Sequence, residues 1–346
     1  MKKLVATIAL LILGCRVALV MGSNPQTREW LDRLTGNEEF LAASLNLELG
    51  SAGVENIMPD EEHVITSDVA LPPFPWFVEV PRAPEPEPIE RSRIMLPATV
   101  HGGMVISNST SFHVNLYEMI SEGPSLRLPS EGPQILIVHT HSTEAFTPEH
   151  RDEFLHVNNF RSLNPKFNII RVGAELAASL ESFGLNVIHH KGIYDYPSFT
   201  GSYSRTKNAI NRYLSEHPGI SVVLDIHRDA IGVGDVVYKT VAEGSGQPSA
   251  QVMLLVGTGE NGLYHPNWRE NLKFALYLQN AVISRHPTIP RPIALVRERY
   301  NQHLTTGSLI VEVGSSGNTL SEALTAIRMF AGTIGPALVA LTEDGA

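Results

Sequence analysis

Apolar runs of strand length recur along the second half of the chain, separated by stretches whose apolar residues have helical spacing. Residues 135–138 form a continuous apolar run, residues 168–180 place apolar side chains three and four positions apart, and a strand pattern returns at 185–190. Such alternation is typical of an α/β fold, in which helices cover both faces of a mixed, mostly parallel sheet. The pattern therefore predicts a three-layer sandwich with its core at about residues 130–335.

Local signals place the ends of several predicted helices. Asn168 can cap the helix that Gly184 ends, and Thr319 with Glu322 forms a capping-box pattern that opens the last helix. The other predicted elements are helices at 204–216 and 267–285 and strands at 221–226, 236–242, 251–256, 294–299 and 309–313.

Three of the strand-like runs lead into side chains that can bind a metal ion. His141 and Glu144 follow the run 135–138, His227 follows the next, and Glu312 comes directly after another. The carboxyl ends of parallel strands meet at one edge of a sheet, so we expect these groups to lie together. Two imidazoles and a carboxylate suit catalytic zinc. The pattern predicts that His141, Glu144 and His227 bind Zn²⁺ and that Glu312 is the general base.

One further histidine leaves the ligand set open. His139 lies two residues before His141 and carries the same kind of ligand atom. It either supports the site without touching the metal or competes with His141 for it.

Other polar residues near these runs are candidates for supporting roles. Asp225 can accept a hydrogen bond from the second ring nitrogen of His227, as carboxylates beside ligating histidines commonly do. Arg228 can steady an oxyanion or a substrate carboxylate, or form a structural ion pair. Asn301 and Gln302 precede the strand that carries Glu312 and are expected to line the substrate cleft.

Composition narrows the range of functions. Apolar residues make up 43% of the 346 and charged residues 18%, which is enough to build a substantial core. The net charge is −10 and no basic residues cluster, so nucleic acid is not an expected partner. The single cysteine, Cys15, excludes intrachain disulfides and a cysteine-based zinc site. A G-x-S-x-G nucleophile elbow is also absent from the sequence.

The N-terminus has the pattern of a membrane signal. Lys2 and Lys3 precede an apolar stretch that ends near residue 22, and Arg16 interrupts it. Residues 1–22 are interpreted as an anchor or a cleaved signal sequence, with a lipoprotein signal ending at Cys15 as a third alternative. The paired lysines predict that the remainder of the chain lies outside the cytoplasm. Residues 23–94 are acidic and rich in proline, which predicts an extended spacer before a catalytic domain at 95–346.

The candidate site residues lie in motifs that resemble the stage II sporulation protein P family, the membrane-anchored peptidoglycan hydrolases of endospore-forming bacteria. The similarity covers about residues 130–335. The matching stretches are His139–Glu144, Leu224–Ala230, Leu255–Thr258, Asn267–Leu272, Leu309–Ser315 and Asn318–Leu320.

This resemblance implies a zinc-dependent N-acetylmuramoyl-L-alanine amidase, often with endopeptidase activity, that acts on peptidoglycan. It also implies septal wall thinning and engulfment during sporulation, a location at the cell membrane, and sporulation proteins D and M as partners. The order of motifs is similar to that of zinc carboxypeptidases and zinc muramoyl amidases, which implies metal binding by His141, Glu144 and His227 and catalysis by Glu312.

Two other functions stay open at this point. One is a zinc carboxypeptidase or endopeptidase that acts on the stem peptides alone, and the other is a scaffold that binds the wall without catalysis. A secreted form is the alternative to the anchored one.

Overall fold

The computed structural model describes residues 93–96, 103–149, 160–233, 236–243 and 246–343. The predicted anchor and nearly all of the predicted spacer lie outside these residues, so both remain predictions. In the described part of the chain, no helix is both long enough and apolar enough to cross a membrane.

The described elements alternate between strands and helices. The strands are β1 (Arg93–Leu96), β2 (Ile106–Asn108), β3 (Ile135–Val138), β4 (Val187–His189), β5 (Val222–Asp229), β6 (Gly232–Val233), β7 (Val236–Thr240), β8 (Val252–Gly257), β9 (Ile293–Val296) and β10 (Gly307–Ser315). The helices are α1 (Leu116–Glu122), α2 (Ile169–Glu181), α3 (Ser202–Glu216), α4 (Trp268–Arg285) and α5 (Leu320–Val339), and a short 3₁₀ helix spans Gln302–Leu304.

Seven strands form the main sheet, in the order β2-β9-β8-β10-β5-β3-β4. Every neighbouring pair is parallel except β8 and β10, which run antiparallel. A separate sheet pairs β1 with β7 and β7 with β6. The mixed, mostly parallel sheet that the sequence predicts is therefore confirmed.

Both faces of the sheet are covered, as β3 shows. Leu136 and Val138 pack with Ile210 of α3 on one face. Ile135 and Ile137 belong to the larger apolar core that includes α2, α4 and α5 on the other face. Successive side chains of a strand alternate between faces, so a strand that is apolar at every position is buried on both sides. The three-layer α/β sandwich is confirmed.

The predicted helix starts agree with the structure in two cases. The Asn168 side chain accepts a hydrogen bond from the Ile170 N–H, and Thr319 and Glu322 form a complete capping box at the start of α5. These caps satisfy N–H groups that have no partner within the first helical turn.

Two strands are longer than predicted, and this changes the position of the site residues. β5 continues to Asp229 and β10 to Ser315, because the ladder between them extends past His227 and Glu312. His227 therefore lies within β5 and does not follow it. Glu312 lies within β10, paired with His227. Polar residues end an apolar run in the sequence, but they do not end a strand whose neighbour continues to pair with it.

A glycine in α2 allows the helix to lie close to two histidines. A Cβ atom at Gly173 would be 2.5 Å from two atoms of the His139 ring and 2.9 Å from His189 Nε2. The His139 ring is fully buried, and His139 Nε2 lies 2.9 Å from His189 Nε2. The absence of a side chain at position 173 therefore creates the space that the histidine pair occupies.

Gly173→Ala is expected to destabilise the fold. Alanine stabilises a helix relative to glycine by up to about 1 kcal/mol, but forcing a methyl group into a packed core costs about 1–3 kcal/mol. The net effect on the free energy of unfolding should therefore be a loss of stability. The matched control is Gly332→Ala in α5, where a Cβ atom meets nothing within 4 Å and should stabilise. Urea unfolding of both variants tests this, and equal shifts in the same direction would contradict it.

The histidine pair should also make the fold sensitive to acid. Burial lowers the pKa of His139 to about 4, and burial together with the charge of His139 lowers the pKa of His189 to about 2. The unfolded chain takes up these protons below about pH 6.5 while the native protein does not, so stability falls as the pH drops from about 6.5 to 4.

Replacing one member of the pair should reduce this dependence. For His189→Asn in metal-free protein, the slope of unfolding free energy against pH between 4 and 6.5 should fall by up to about 1.4 kcal/mol per pH unit. His113→Asn, at an exposed histidine, should leave the slope unchanged. Denaturant unfolding at a series of pH values measures both, and an unaltered slope in His189→Asn excludes this origin of acid sensitivity.

Candidate metal centre

Three potential metal ligands converge at one edge of the sheet. The turn after β3 carries His141 and Glu144, and β5 carries His227. Glu144 lies between the two rings, with its Oε1 3.5 Å from His141 Nδ1 and its Oε2 3.4 Å from His227 Nδ1. One ligand atom from each residue lies within 4.8 Å of the others. The structure therefore brings together the three residues that the sequence singled out.

The donor set and its spacing fit zinc. Two histidines and one carboxylate are a ligand set of catalytic zinc, and atoms about 2 Å from a tetrahedral centre are about 3.3 Å apart. The two contacts of Glu144, at 3.4 and 3.5 Å, come close to that separation. The other ring nitrogen of each histidine, Nε2, is buried and has no hydrogen-bond partner among the described residues, so neither ring is committed to another hydrogen bond there. These three side chains are suited to hold a Zn²⁺ ion.

The charges around His227 favour a cation. Burial works against a charge on this ring, but the Asp225 and Glu144 carboxylates outweigh it and raise the pKa of His227 well above its usual value. Burial would likewise raise the pKa of Glu144, but His227, with the contact from His141, holds it well below its usual range. A metal ion can take the place of the proton that these carboxylates stabilise.

Asp225 lies where a supporting carboxylate is expected. Its Oδ1 accepts a hydrogen bond from the Thr140 N–H (2.8 Å) and its Oδ2 accepts one from Thr140 Oγ1 (2.6 Å). Oδ1 is also 3.0 Å from His227 Nε2, although this contact lacks hydrogen-bond alignment. Burial would raise the pKa of Asp225, but His227 and the bonds from Thr140 lower it to about 2. An ionised Asp225 therefore places negative charge beside Nε2, while Nδ1 faces Glu144.

Glu312 lies beside this cluster because of strand register. β10 pairs Glu312 directly with His227 of β5, so both side chains project from the same face of the sheet. Burial raises the pKa of Glu312 to about 8, and Glu144 adds to the rise against the opposing charge of His227. The buried Oε2 atom has no hydrogen-bond partner in the described part of the chain. This carboxyl group can therefore exchange a proton near neutral pH.

His139 does not belong to the group of three. Its Nδ1 is 3.1 Å from the Ile226 carbonyl oxygen, and its Nε2 contacts His189 beneath α2. Both ring nitrogens are occupied on the α2 side of the sheet, whereas His141 packs against Phe199. β3 ends at Val138, so His141 lies in a turn and does not follow the alternation of the strand.

Arg228 contacts the backbone around the cluster. Its backbone N–H donates to Glu144 Oε2 at 3.0 Å. Its guanidinium group donates to the carbonyl oxygens of Ala145 and Phe160, each at 2.9 Å. The guanidinium group thus ties β5 to the segment that carries Glu144. A direct catalytic role for Arg228 remains a prediction.

Asn301 and Gln302 also bond to the backbone. The Asn301 side chain donates to the Tyr203 carbonyl oxygen at 2.9 Å. Gln302 accepts from the Gly257 N–H (2.6 Å) and donates to the Leu255 carbonyl oxygen (2.7 Å). The Gln302 amide is thereby engaged at both ends by β8, and the predicted contact of these two residues with substrate remains untested.

Aromatic residues that sequence reasoning missed surround the ligands. Phe199 stacks on His141 with ring centroids 4.4 Å apart, and Tyr203 lies nearly parallel to the His227 ring at 6.5 Å. Tyr300 contacts Tyr203 at 5.2 Å. Burial raises the pKa of Tyr203 well above its usual value and that of Tyr300 to about 12. Phe199 and Tyr203 are distant in sequence from the motifs, so no local spacing could reveal them. Tyr300 directly precedes Asn301, but nothing in its spacing distinguishes it.

Fold and site define an α/β protein with a candidate metal centre of two histidines and one carboxylate. The model of the family Stage II sporulation protein P (SpoIIP) matches residues 100–335, and the chain belongs to this family. The predicted family is thereby confirmed.

The comparisons also identify particular relatives. Stage II sporulation protein P of Bacillus subtilis (strain 168) is 26% identical over 203 residues, which cover 54% of this chain and 47% of the relative. The aligned region thus spans about half the length of that relative.

Two solved structures are among those that match this chain. One is the N-acetylmuramoyl-L-alanine amidase AmiC2 of Nostoc punctiforme, with 13% identity and a TM-score of 0.34, covering 61% of this chain and 97% of the amidase. The other is the CwlD amidase of Clostridioides difficile in complex with the GerS lipoprotein. It has 13% identity and a TM-score of 0.35, covering 59% of this chain and 96% of CwlD.

Removal of one ligand should abolish metal binding. After exposure to zinc and dialysis, the wild-type protein is expected to retain about one Zn²⁺ per chain, because three protein ligands define a catalytic site. His141→Ala and His227→Ala should each retain almost none, while His113→Ala at an exposed histidine should match wild type. Elemental analysis by mass spectrometry gives the stoichiometry. Wild-type zinc content in His227→Ala would refute the assignment.

Proposed function

We propose that this protein is a zinc-dependent peptidoglycan hydrolase that cleaves the amide bond between N-acetylmuramic acid and the first alanine of the stem peptide. The observation that carries the proposal is the convergence of His141, Glu144 and His227, with Glu312 paired opposite His227. Membership of the Stage II sporulation protein P family supports the substrate class.

In this mechanism His141, Glu144 and His227 hold the zinc ion, which supplies a Lewis acid and lowers the pKa of a water molecule when bound. Asp225 lies 3.0 Å from His227 Nε2 and supplies negative charge beside this nitrogen, while Nδ1 faces Glu144. Glu312 accepts a proton from the attacking water and returns it to the leaving amine nitrogen. As a carboxylate it accepts the proton in the first step, and as a carboxylic acid it donates that proton in the second.

The tyrosines beside Glu312 complete the proposed site. Burial keeps the Tyr203 hydroxyl protonated at neutral pH, so it can donate a hydrogen bond to negative charge that develops on the amide oxygen. The ring also covers one side of His227 and limits the access of water to it.

We further propose the biological setting that the family resemblance implies. The domain would act outside the cytoplasm, attached to the membrane by residues 1–22, in septal wall thinning and engulfment. Sporulation proteins D and M are the proposed partners. A cleaved N-terminus and a secreted enzyme are the alternative.

Glu312→Gln should separate catalysis from metal binding. The amide side chain cannot accept a proton, so wall lysis should fall by about 100-fold or more while the zinc content stays at the wild-type value. Glu298→Gln, at an exposed carboxylate, is the matched control and should keep full activity. Loss of turbidity of purified peptidoglycan measures the rate, and full activity in Glu312→Gln would show that the base lies elsewhere.

Product analysis distinguishes the proposed reaction from its rivals. An amidase releases intact stem peptides and leaves muramic acid with a free lactyl group. A carboxypeptidase or endopeptidase leaves the bond between sugar and peptide intact. If the wild-type protein binds zinc and wall but releases no product, it acts as a scaffold.

A further inference from the structure

Asp195 is a buried aspartate outside the predicted motifs, and it contacts the turn that carries two of the ligands. Its Oδ1 accepts a hydrogen bond from Ser142 Oγ at 3.1 Å. The Thr143 N–H lies 3.2 Å from both carboxylate oxygens, and Thr143 Oγ1 donates to Oδ2 at 2.6 Å. Asp195 itself is 7% exposed. The carboxylate therefore binds both residues that separate His141 from Glu144.

The negative charge of Asp195 is balanced nearby. Arg161 Nη1 donates to Asp195 Oδ2 at 2.6 Å and to Thr143 Oγ1 at 3.1 Å. The Ser162 N–H also donates to the Thr143 carbonyl oxygen at 2.8 Å. Thr143 is thus held from both sides, and a buried carboxylate in a network this complete is rigid.

The segment that contains Asp195 is itself fixed to α3. We call residues 194–201 the supporting loop. Arg205 in α3 donates to the carbonyl oxygens of Tyr194, Ser198 and Thr200 at 2.5–3.0 Å. Phe199, in the same loop, stacks on the His141 ring. The supporting loop therefore holds the backbone of the turn through Asp195 and one of its side chains through Phe199.

We propose that Asp195 is a positioning residue, which sets the metal-binding geometry of His141 and Glu144 by fixing the two residues between them. The inference rests on the zinc site of the proposed function and assigns to Asp195 no contact with the metal. Its oxygens already accept bonds from Ser142, Thr143 and Arg161, which leaves them poorly placed to act as a ligand.

The physical reason is the narrow tolerance of a metal site. Zinc bonds of about 2 Å require that ligand atoms be held in place before the ion arrives, and residues that orient ligands change metal affinity by about 10- to 100-fold when mutated. His227 lies within the β5 ladder and is fixed by the sheet. The turn that carries His141 and Glu144 lies outside the main ladder. Isolated bridges of Glu144 with Arg161 and of Ala145 with Asn168 hold its far end. The bonds of Ser142 and Thr143 to Asp195 hold the residues between the two ligands.

Asp195→Asn is the test. The substitution keeps the shape but turns one acceptor into a donor that faces the donors of Thr143 and Arg161. The dissociation constant for zinc, measured by competition with a chromophoric chelator on the full chain, is expected to rise by about 10- to 100-fold. The rate of wall lysis at saturating zinc should fall through kcat.

Position 143 provides a graded series that does not depend on the folding of Asp195→Asn. Thr143→Val removes the hydroxyl bond but keeps the N–H bond, so the dissociation constant for zinc should rise by about fivefold, the effect of one hydrogen bond. Thr143→Ser retains the hydroxyl and should restore wild-type affinity.

Leu278→Ala controls for a general loss of stability. Leu278 is 1% exposed in α4, so the variant should lower the unfolding temperature without changing the affinity for zinc. If Asp195→Asn and Thr143→Val bind zinc as tightly as wild type, or if Leu278→Ala weakens zinc equally, the positioning role is wrong. If the wild-type protein binds no zinc, the proposed function fails first, which is a distinguishable result.

Discussion

Three buried carboxyl groups surround the imidazole of His227, and the balance of their charges is the constraint on which the site depends. Glu144 contacts one ring nitrogen, Asp225 contacts the other, and Glu312 is paired across the β5–β10 ladder. Burying several carboxylates is unfavourable unless a cation or protons compensate them. The protein therefore contains a site whose low-energy state includes positive charge, supplied by a proton on His227, a proton on Glu312 or a metal ion.

Different parts of the fold hold this cluster in different ways. β5 and β10 position His227 and Glu312 through backbone pairing, which is rigid and continues beyond both residues. The turn after β3 is held by isolated backbone bridges at Glu144 and Ala145 and by side chains, chiefly the contact of Asp195 with Thr143 and the stacking of Phe199. The strand pair and the turn together bring side chains that are far apart in the sequence to one place and hold them there.

Several features could be predicted because they depend on residues close together in sequence. The cap at Asn168, the capping box at Thr319 and the apolar run of β3 are local, and all three are present. The ends of β5 and β10 were placed too early, because pairing between distant strands extended them. Asp195 and Tyr203 were missed for the same reason. Asp195 bonds to Thr143, which lies 52 positions earlier, and Tyr203 packs near the ring of His227 on another element.

The sequence by itself predicted the α/β class and the family, which are confirmed, and singled out His141, Glu144, His227 and Glu312 as a candidate site, because apolar periodicity and short motifs are properties of neighbouring residues. Only the tertiary structure decided that His139 lies on the α2 side of the sheet. It also decided that the amide of Gln302 is engaged by β8 and that an aspartate from a distant loop supports the ligand turn. The reason is physical: orientation and burial depend on which strands pair and which helices cover them, and these contacts form only when the chain folds.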